Sequence, residues 1–171
     1  MLLPALLVSC SKQMDPQAMS YEGQDTLYCN DPEAINYNHK FPGTADNMVC
    51  LYPTDVFVGR YYLEDSVYTA DFASYYVIKD TVNIYQLTKT KMAVVGFCGP
   101  FDSLKLTAGR YYRATLDSSS ANGQPLCSPK DTISGTFSRV AFDSTIVRLD
   151  LTMMSDTAGL KYHKGTAKKI Q

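Results

Sequence analysis

A chain of 171 residues is long enough for one domain with a real core and a tail. Its net charge of −1, with basic residues scattered along the chain, offers no electrostatic footprint for nucleic acid. Thirteen tyrosines and seven phenylalanines with no tryptophan, among frequent Val, Ile and Thr, make a strand-favouring composition.

The N-terminus closes a short apolar run with Leu7-Val8-Ser9-Cys10. This resembles the lipobox of bacterial lipoproteins, in which signal peptidase cuts before the cysteine and the sulfur carries lipid. The resemblance implies a signal peptide over residues 1–9 and a mature chain that begins at Cys10. It also implies a partner, the membrane, and a location at the outer membrane or cell surface. Five cysteines is an odd count, and assigning Cys10 to lipid leaves four for an oxidising compartment. Four cysteines permit three pairings. The sequential one, Cys29–Cys50 and Cys98–Cys127, keeps each bridge inside its own module. Each bridge closes a loop of some 20 to 30 residues, worth about 3 kcal/mol in the chain-entropy model. The cytosolic alternative, a metal site, lacks any Cys-x-x-Cys pair. Outside the N-terminus the longest apolar run, Met92 to Phe101, is about half of the ~20 residues a membrane-spanning helix needs.

Residues 10–28 are polar, contain Pro16 and Gly23, and show no hydrophobic period. They read as a flexible tether, which fully extended reaches roughly 60 Å. Cys29-Asn30-Asp31-Pro32-Glu33-Ala34-Ile35-Asn36-Tyr37-Asn38 then leads to Asp46-Asn47-Met48-Val49-Cys50-Leu51-Tyr52. This resembles the small two-cysteine module common in exported Bacteroidota proteins, Cys-x-Asp-Pro-x-Ala-x-Asn-Tyr-Asn to Asp-Asp-Gly-Ser-Cys-x-Tyr. Asn47-Met48-Val49 stand where that pattern has Asp-Gly-Ser. The module, residues 29–53, cannot bury a core of its own. Turns at Asp31-Pro32 and the asparagines, with one bridge, hold it together. The oxygens of Asp31, Asn36, Asn38 and Asp46 are candidate calcium ligands, but their spacing is no EF-hand, and a stapled turn without metal is the reading adopted.

From Thr54 onward the texture changes to short strands broken by turn residues. The pattern predicts eight strands, the first over Asp55–Glu64 and the second over Tyr75–Ile78. Val82–Leu87 and Met92–Cys98 follow, and Leu104–Leu106 runs on with a kink at Gly109 into Tyr111–Leu116. After a polar loop, Asp117–Lys130, come Thr132–Ser138, Thr145–Met153 and Gly165–Lys169. Alternation is clearest in Val147-Arg148-Leu149-Asp150-Leu151-Thr152-Met153, and Ile133, Gly135 and Phe137 repeat it. Residues 54–171 therefore read as an all-β, antiparallel up-and-down domain. It is either a closed eight-stranded barrel or, as the alternative, a β-sandwich.

Gly59-Arg60-Tyr61 in the first strand and Gly165-Thr166-Ala167-Lys168 in the last resemble the lipocalin or calycin pattern. There a Gly-x-Trp of strand one packs on a basic residue of the last strand. Tyr61 stands for the tryptophan and Lys168 for the basic residue. The resemblance implies a lipocalin-like barrel closed by Gly59, Tyr61 and Lys168, with the Lys168 cation over the Tyr61 ring.

Chemistry is sparse. His39 lies in the stapled module and His163 in a charged tail. Neither has a nucleophile motif beside it, no Gly-x-Ser-x-Gly elbow occurs, and both read as surface residues. Glu64-Asp65 and Asp71 read as solvated turn acids, and Asp102, Asp143 and Asp150 are scattered, which argues against a glycosidase pair. No catalytic residue, cofactor or metal is assigned. Gly-Arg-Tyr-Tyr occurs twice, placing Arg60, Tyr62, Arg110 and Tyr112 as candidate contacts to a ligand or partner; core packing takes one tyrosine of each pair. The reading is a membrane-anchored, non-catalytic binding lipoprotein for a small apolar or sugar ligand or a surface protein. The alternative is an inhibitor of a secreted enzyme such as lysozyme or a protease, presented on the Asp117–Lys130 loop. Lipid on Cys10 has a direct consequence: Cys10→Ala moves the protein from the membrane to the soluble fraction on cell fractionation, and retention in the membrane fraction contradicts the anchor.

Overall fold

The computed structural model describes residues 26–38, 43–98, 103–119, 123–141 and 143–170. Cys10, the signal peptide, His39 and nearly all of the tether lie outside these. Two short strands, β1 (Leu27–Tyr28) and β2 (Thr44–Ala45), pair in parallel within the disulfide module, so the module begins before Cys29 and takes in the end of the expected tether. Cys29 and Cys50 are bridged, and a single 3-10 turn spans Asn47–Val49.

The module's polar side chains hold its own backbone. Asp46 accepts from Met48 N at 2.8 Å, and Asn36 spans Val49 O and Leu51 N at 2.7 Å each. Asp31 accepts from Glu33 N at 2.9 Å and the Tyr52 hydroxyl at 3.0 Å, and pairs with Lys89 of the barrel. The Lys89 ammonium and the Glu33 amide hold its carboxyl below the usual carboxylate range. Ile35 packs against the barrel core, so the module is docked and not merely strung beside the barrel.

The remaining strands are β3 (Gly59–Thr69), β4 (Tyr75–Gln86), β5 (Lys91–Val95), β6 (Ser103–Gly109) and β7 (Arg113–Leu116). They continue as β8 (Gln124–Leu126), β9 (Ser128–Arg139), β10 (Ile146–Ser155) and β11 (Gly159–Ile170). Eight of them form a closed antiparallel barrel in the order β10-β11-β3-β4-β5-β6-β7-β9, sealed by a β9–β10 ladder. Closure removes the sheet edges that an open sandwich leaves. β8 lies along the first half of β9 beyond the end of β7. The second bridge, Cys98–Cys127, ties this annex to the segment after β5.

Strict alternation makes the wall two-faced. In β3 the side chains of Tyr61, Leu63, Asp65 and Val67 are buried while Arg60, Tyr62 and Glu64 face out. β10 buries Val147, Leu149 and Leu151, and β11 buries His163, Gly165 and Ala167 in alternation with exposed Lys164, Thr166 and Lys168. Several boundaries differ from the pattern reading. The first strand starts at Gly59, because residues 53–57 turn inward and bury Val56 and Phe57. Tyr75–Ile78 and Val82–Leu87 are one strand, since Asp80 rides in an extended backbone whose ladder to β3 is unbroken. Leu104–Leu106 and Tyr111–Leu116 do not run on through a kink. They form a hairpin that reverses at residues 110–112, with Tyr112 at a φ of 57°. The last strand begins at Gly159.

One end of the barrel is sealed. The inward turn brings two carbonyls into the core, and each finds a donor: the Tyr61 hydroxyl donates to Phe57 O at 2.7 Å and Arg139 Nη1 donates to Val56 O at 2.6 Å. Burial pushes the Tyr61 phenol up and the Arg139 charge opposes it, so the hydroxyl stays a donor. Thr54 Oγ1 faces Lys89 O at 3.0 Å and accepts from Gln86 Nε2 at 2.8 Å, stitching the same turn to the β4–β5 connection.

The expected role of Lys168 is corrected. It is exposed, because it falls on the outer phase of β11 opposite Tyr62. The residue opposite Tyr61 is Lys169, whose Nζ donates to Val58 O at 2.8 Å, and the cation beside the phenol is Arg139. Gly59 does belong to the closure: at a φ of 147° it leaves the space that the Lys169 stem fills, where a Cβ would sit 2.5 Å from Cε. Denaturant melts test this seal. Tyr61→Ala is expected to cost about 3–5 kcal/mol, Tyr61→Phe about 1–3 kcal/mol for the orphaned Phe57 carbonyl, and Lys168→Ala less than about 0.5 kcal/mol.

Candidate ligand site at the open end of the barrel

The opposite end is not filled. β4 is paired with β3 from Tyr75 to Ile84, but β5 covers it only from Asn83 to Gln86. Among the described residues, Tyr75–Val82 therefore has no strand on its other side. Its inward positions, Tyr76, Ile78 and Asp80, sit opposite Val67, Asp65 and Leu63. They are exposed, unlike Val82 and Ile84 further along the same strand. The rim hairpin is braced from outside, where Phe72, with φ of 57°, stacks on Tyr162 at 4.9 Å and Tyr68 stacks on Tyr75 at 5.5 Å.

A cavity of about 200 Å³ lies behind this splayed edge. Its walls are mainly apolar, built from Leu63, Ile78, Phe97, Leu126, Ile133 and Met153, with Tyr76 and Asp80 toward the mouth. Two further lining residues carry the site's polarity. Asp65 of β3 and His163 of β11 are 2 % and 8 % exposed, and Asp65 Oδ2 lies 2.6 Å from His163 Nδ1. Gly165, opposite Asp65 in the ladder, makes room for this carboxyl: a Cβ there would stand 3.3 Å from Asp65 Oδ1 and 3.2 Å from Leu63 Cδ1.

The pair is only half satisfied. Asp65 Oδ1 and His163 Nε2 are closed off from solvent and have no hydrogen-bond partner among the described residues. Buried polar atoms of this kind ordinarily have a protein, water or ligand partner. Among the described residues no side-chain hydroxyl or thiol hydrogen-bonds Nε2. No group of three or more His, Cys, Asp or Glu that could hold a metal occurs among them either.

The residues singled out by sequence lie elsewhere. Arg60 and Tyr62 face outward on β3. Arg110 sits 5.8 Å from the Tyr37 ring of the module, and Tyr111 and Tyr112 are both exposed in the hairpin turn, so the second Gly-Arg-Tyr-Tyr contributes no core tyrosine. Tyr111, Tyr112, Leu51 and Arg139 edge a wide cleft of about 730 Å³ where the module meets the sealed end. His163 and Asp65 were read as solvated and are not. Counting in twos from Tyr61 and Leu63, or back from Ala167, places both inside, which is the signal that finds them.

No protein-family model matches the chain, and no curated protein matches it in sequence. Among solved structures it is similar to a redesigned β-barrel, at 11% identity and a TM-score of 0.46 over 70% of this chain and 96% of that one. It is also similar to EF1p2_mFAP2b bound to DFHBI, at 12% identity and a TM-score of 0.49 over 69% of this chain and 97% of that one. A Bacteroides ovatus structural-genomics protein of unknown function shows 14% identity and a TM-score of 0.43 over 66% of this chain and 41% of its own.

Double-mutant melts separate a stabilising role of the pair from a functional one. His163→Leu alone leaves the Asp65 carboxyl buried and unpaired, and is expected to cost about 3–5 kcal/mol. Asp65→Val combined with His163→Leu is expected to restore or exceed wild-type stability. A double variant as unstable as the single one makes the pair a structural element.

Proposed function

We propose that this protein is a non-catalytic binding protein that holds a small, largely apolar ligand in the open end of its barrel. The observation that carries the reading is the apolar cavity of about 200 Å³ built around a buried, half-satisfied Asp65–His163 pair. A protein gains little stability from such a pair, whereas a concave apolar pocket with a few convergent polar groups is the ordinary form of a ligand site.

The proposal includes export and a lipid anchor on Cys10, at the outer membrane or cell surface. Pairing of Cys29 with Cys50 and of Cys98 with Cys127 supports it, because Cys10 is then the one cysteine of five left for lipid.

The inhibitor reading rests on the Asp117–Lys130 segment, whose residues 120–122 lie outside the described ones. The Asp117–Lys130 segment is held against the barrel and does not protrude as a free loop over its described residues. Gln124 inserts its amide into the edge of β6, accepting from Lys105 N at 2.9 Å and donating to Lys105 O at 2.7 Å. Asp117 takes Lys91 Nζ at 2.8 Å and the Thr107 hydroxyl. Burial pushes the Asp117 carboxyl up, but these two hydrogen bonds together with the Lys91 and Lys105 charges outweigh it and hold it below the usual range.

Native mass spectrometry of the folded protein isolated from its own cells tests the proposal. The expected result is a small-molecule adduct that disappears in Ile78→Trp, where an indole fills the mouth from the exposed edge of β4. An adduct unchanged by Ile78→Trp places the ligand elsewhere, and absence of any adduct from wild-type protein that also takes up no small apolar probe removes the reading.

A further inference from the structure

The protons of the buried pair narrow the chemistry of the ligand. One proton occupies the Asp65 Oδ2–His163 Nδ1 bond, whichever atom holds it. With that proton alone, the pair carries a full negative charge inside an apolar wall, an expensive state at 2 % and 8 % exposure. With one more proton the pair is neutral overall. The second proton then sits on one of the two orphaned atoms, His163 Nε2 or Asp65 Oδ1, and imidazole is the more basic of the two. The state that is cheapest to bury therefore turns a hydrogen-bond donor toward the cavity wall.

Other charges near the site select against an anion. Asp80 is a lining residue, so a second carboxylate already faces the space. Lys161 is a rim residue outside the lining, with its Nζ 5.3 Å from the Tyr76 ring centroid and 3.3 Å from the Tyr76 hydroxyl. Size also constrains the ligand. A dry cavity of about 150 Å³ takes up benzene, and about 200 Å³ leaves room for a ring with a short substituent.

We propose that Nε2 of His163 donates a hydrogen bond to a small neutral ligand that carries a carbonyl-type acceptor on an apolar body. This rests on the cavity being the ligand site. Nε2 is closed off in the empty cavity, so the ligand must displace a wall side chain, and Met153, unbranched and adaptable, is the one most able to move.

The test uses the whole chain labelled with 15N at neutral pH and three probes of one size: acetophenone, ethylbenzene and benzoate. The imidazole nitrogen shifts of His163 are expected to show Nε2 protonated before any ligand is added. In NMR titrations acetophenone is expected to bind about tenfold more tightly than ethylbenzene, the worth of one hydrogen bond in a dry site, and more tightly than benzoate. Amides of β4, β9 and β10 around the cavity should move with it. In the Asp65→Val, His163→Leu double variant the preference for acetophenone should vanish while ethylbenzene still binds. If that variant does not fold, the imidazole shifts and the wild-type probe ranking decide alone. An unprotonated Nε2, or equal affinity for acetophenone and ethylbenzene, overturns the donor assignment and leaves the cavity as an apolar site. Tightest binding of benzoate overturns the neutral class. Failure of all three probes to bind overturns both the donor assignment and the ligand site.

Discussion

Two hydrogen bonds at one end of the barrel, from Tyr61 to the Phe57 carbonyl and from Arg139 to the Val56 carbonyl, set the layout of the rest. The turn that precedes β3 folds into the barrel and would bury two unsatisfied carbonyls without them, at a cost of about 1–3 kcal/mol each. Because the donors come from β3 and β9, which are not neighbours in the barrel, the seal also spans it. Phe57, Phe137, Met92 and Leu106 then fill that end completely. An eight-stranded barrel has an interior just wide enough to be filled by side chains or to hold one small ligand. Here it does the first at one end and leaves space for the second at the other.

The open end has the opposite character. β5 is five residues long against twelve in β4, so it cannot cover the first half of its neighbour. The inward side chains of that half stand apart from the core, and the space between them and β9, β10 and β11 is the cavity. Placing an aspartate and a histidine there costs stability that Leu or Val at the same positions would not. That cost, and the two polar atoms left without partners, are the physical grounds for treating the pair as part of a site. The sealed end needs no such explanation, since every polar group noted there has its partner.

The barrel itself was legible in the sequence because alternation in Val147–Met153 and the regular turn signals reflect a wall with one wet and one dry face. Both bridges match the sequential pairing, which the division into a small module and a barrel selects from the three that four cysteines permit. The ends of strands were less so. The pattern divides Tyr75–Ile78 from Val82–Leu87, yet Asp80 between them keeps its place in the unbroken ladder to β3. The site was hidden by composition. Glu64-Asp65 looked like a solvated pair, but adjacent strand residues face opposite ways, so Glu64 meets Lys79 outside while Asp65 is buried. His163 was masked by its charged neighbours, of which Lys164 occupies the outer phase of the same strand and Lys161 the half-buried end of its inner phase. The shift from Lys168 to Lys169 has the same origin, for a step of one residue exchanges the two faces of a strand.

Native-state hydrogen exchange along β4 tests the sealed-and-open barrel most directly. Amides of Asn83 and Ile84, covered on both sides, are expected to exchange only with global unfolding. Those of Tyr75–Thr81 that point away from β3 are expected to exchange orders of magnitude faster by local opening, and to slow when a ligand occupies the cavity. Uniform protection along the whole of β4 in the ligand-free protein would contradict an open end, and with it the place assigned to the ligand.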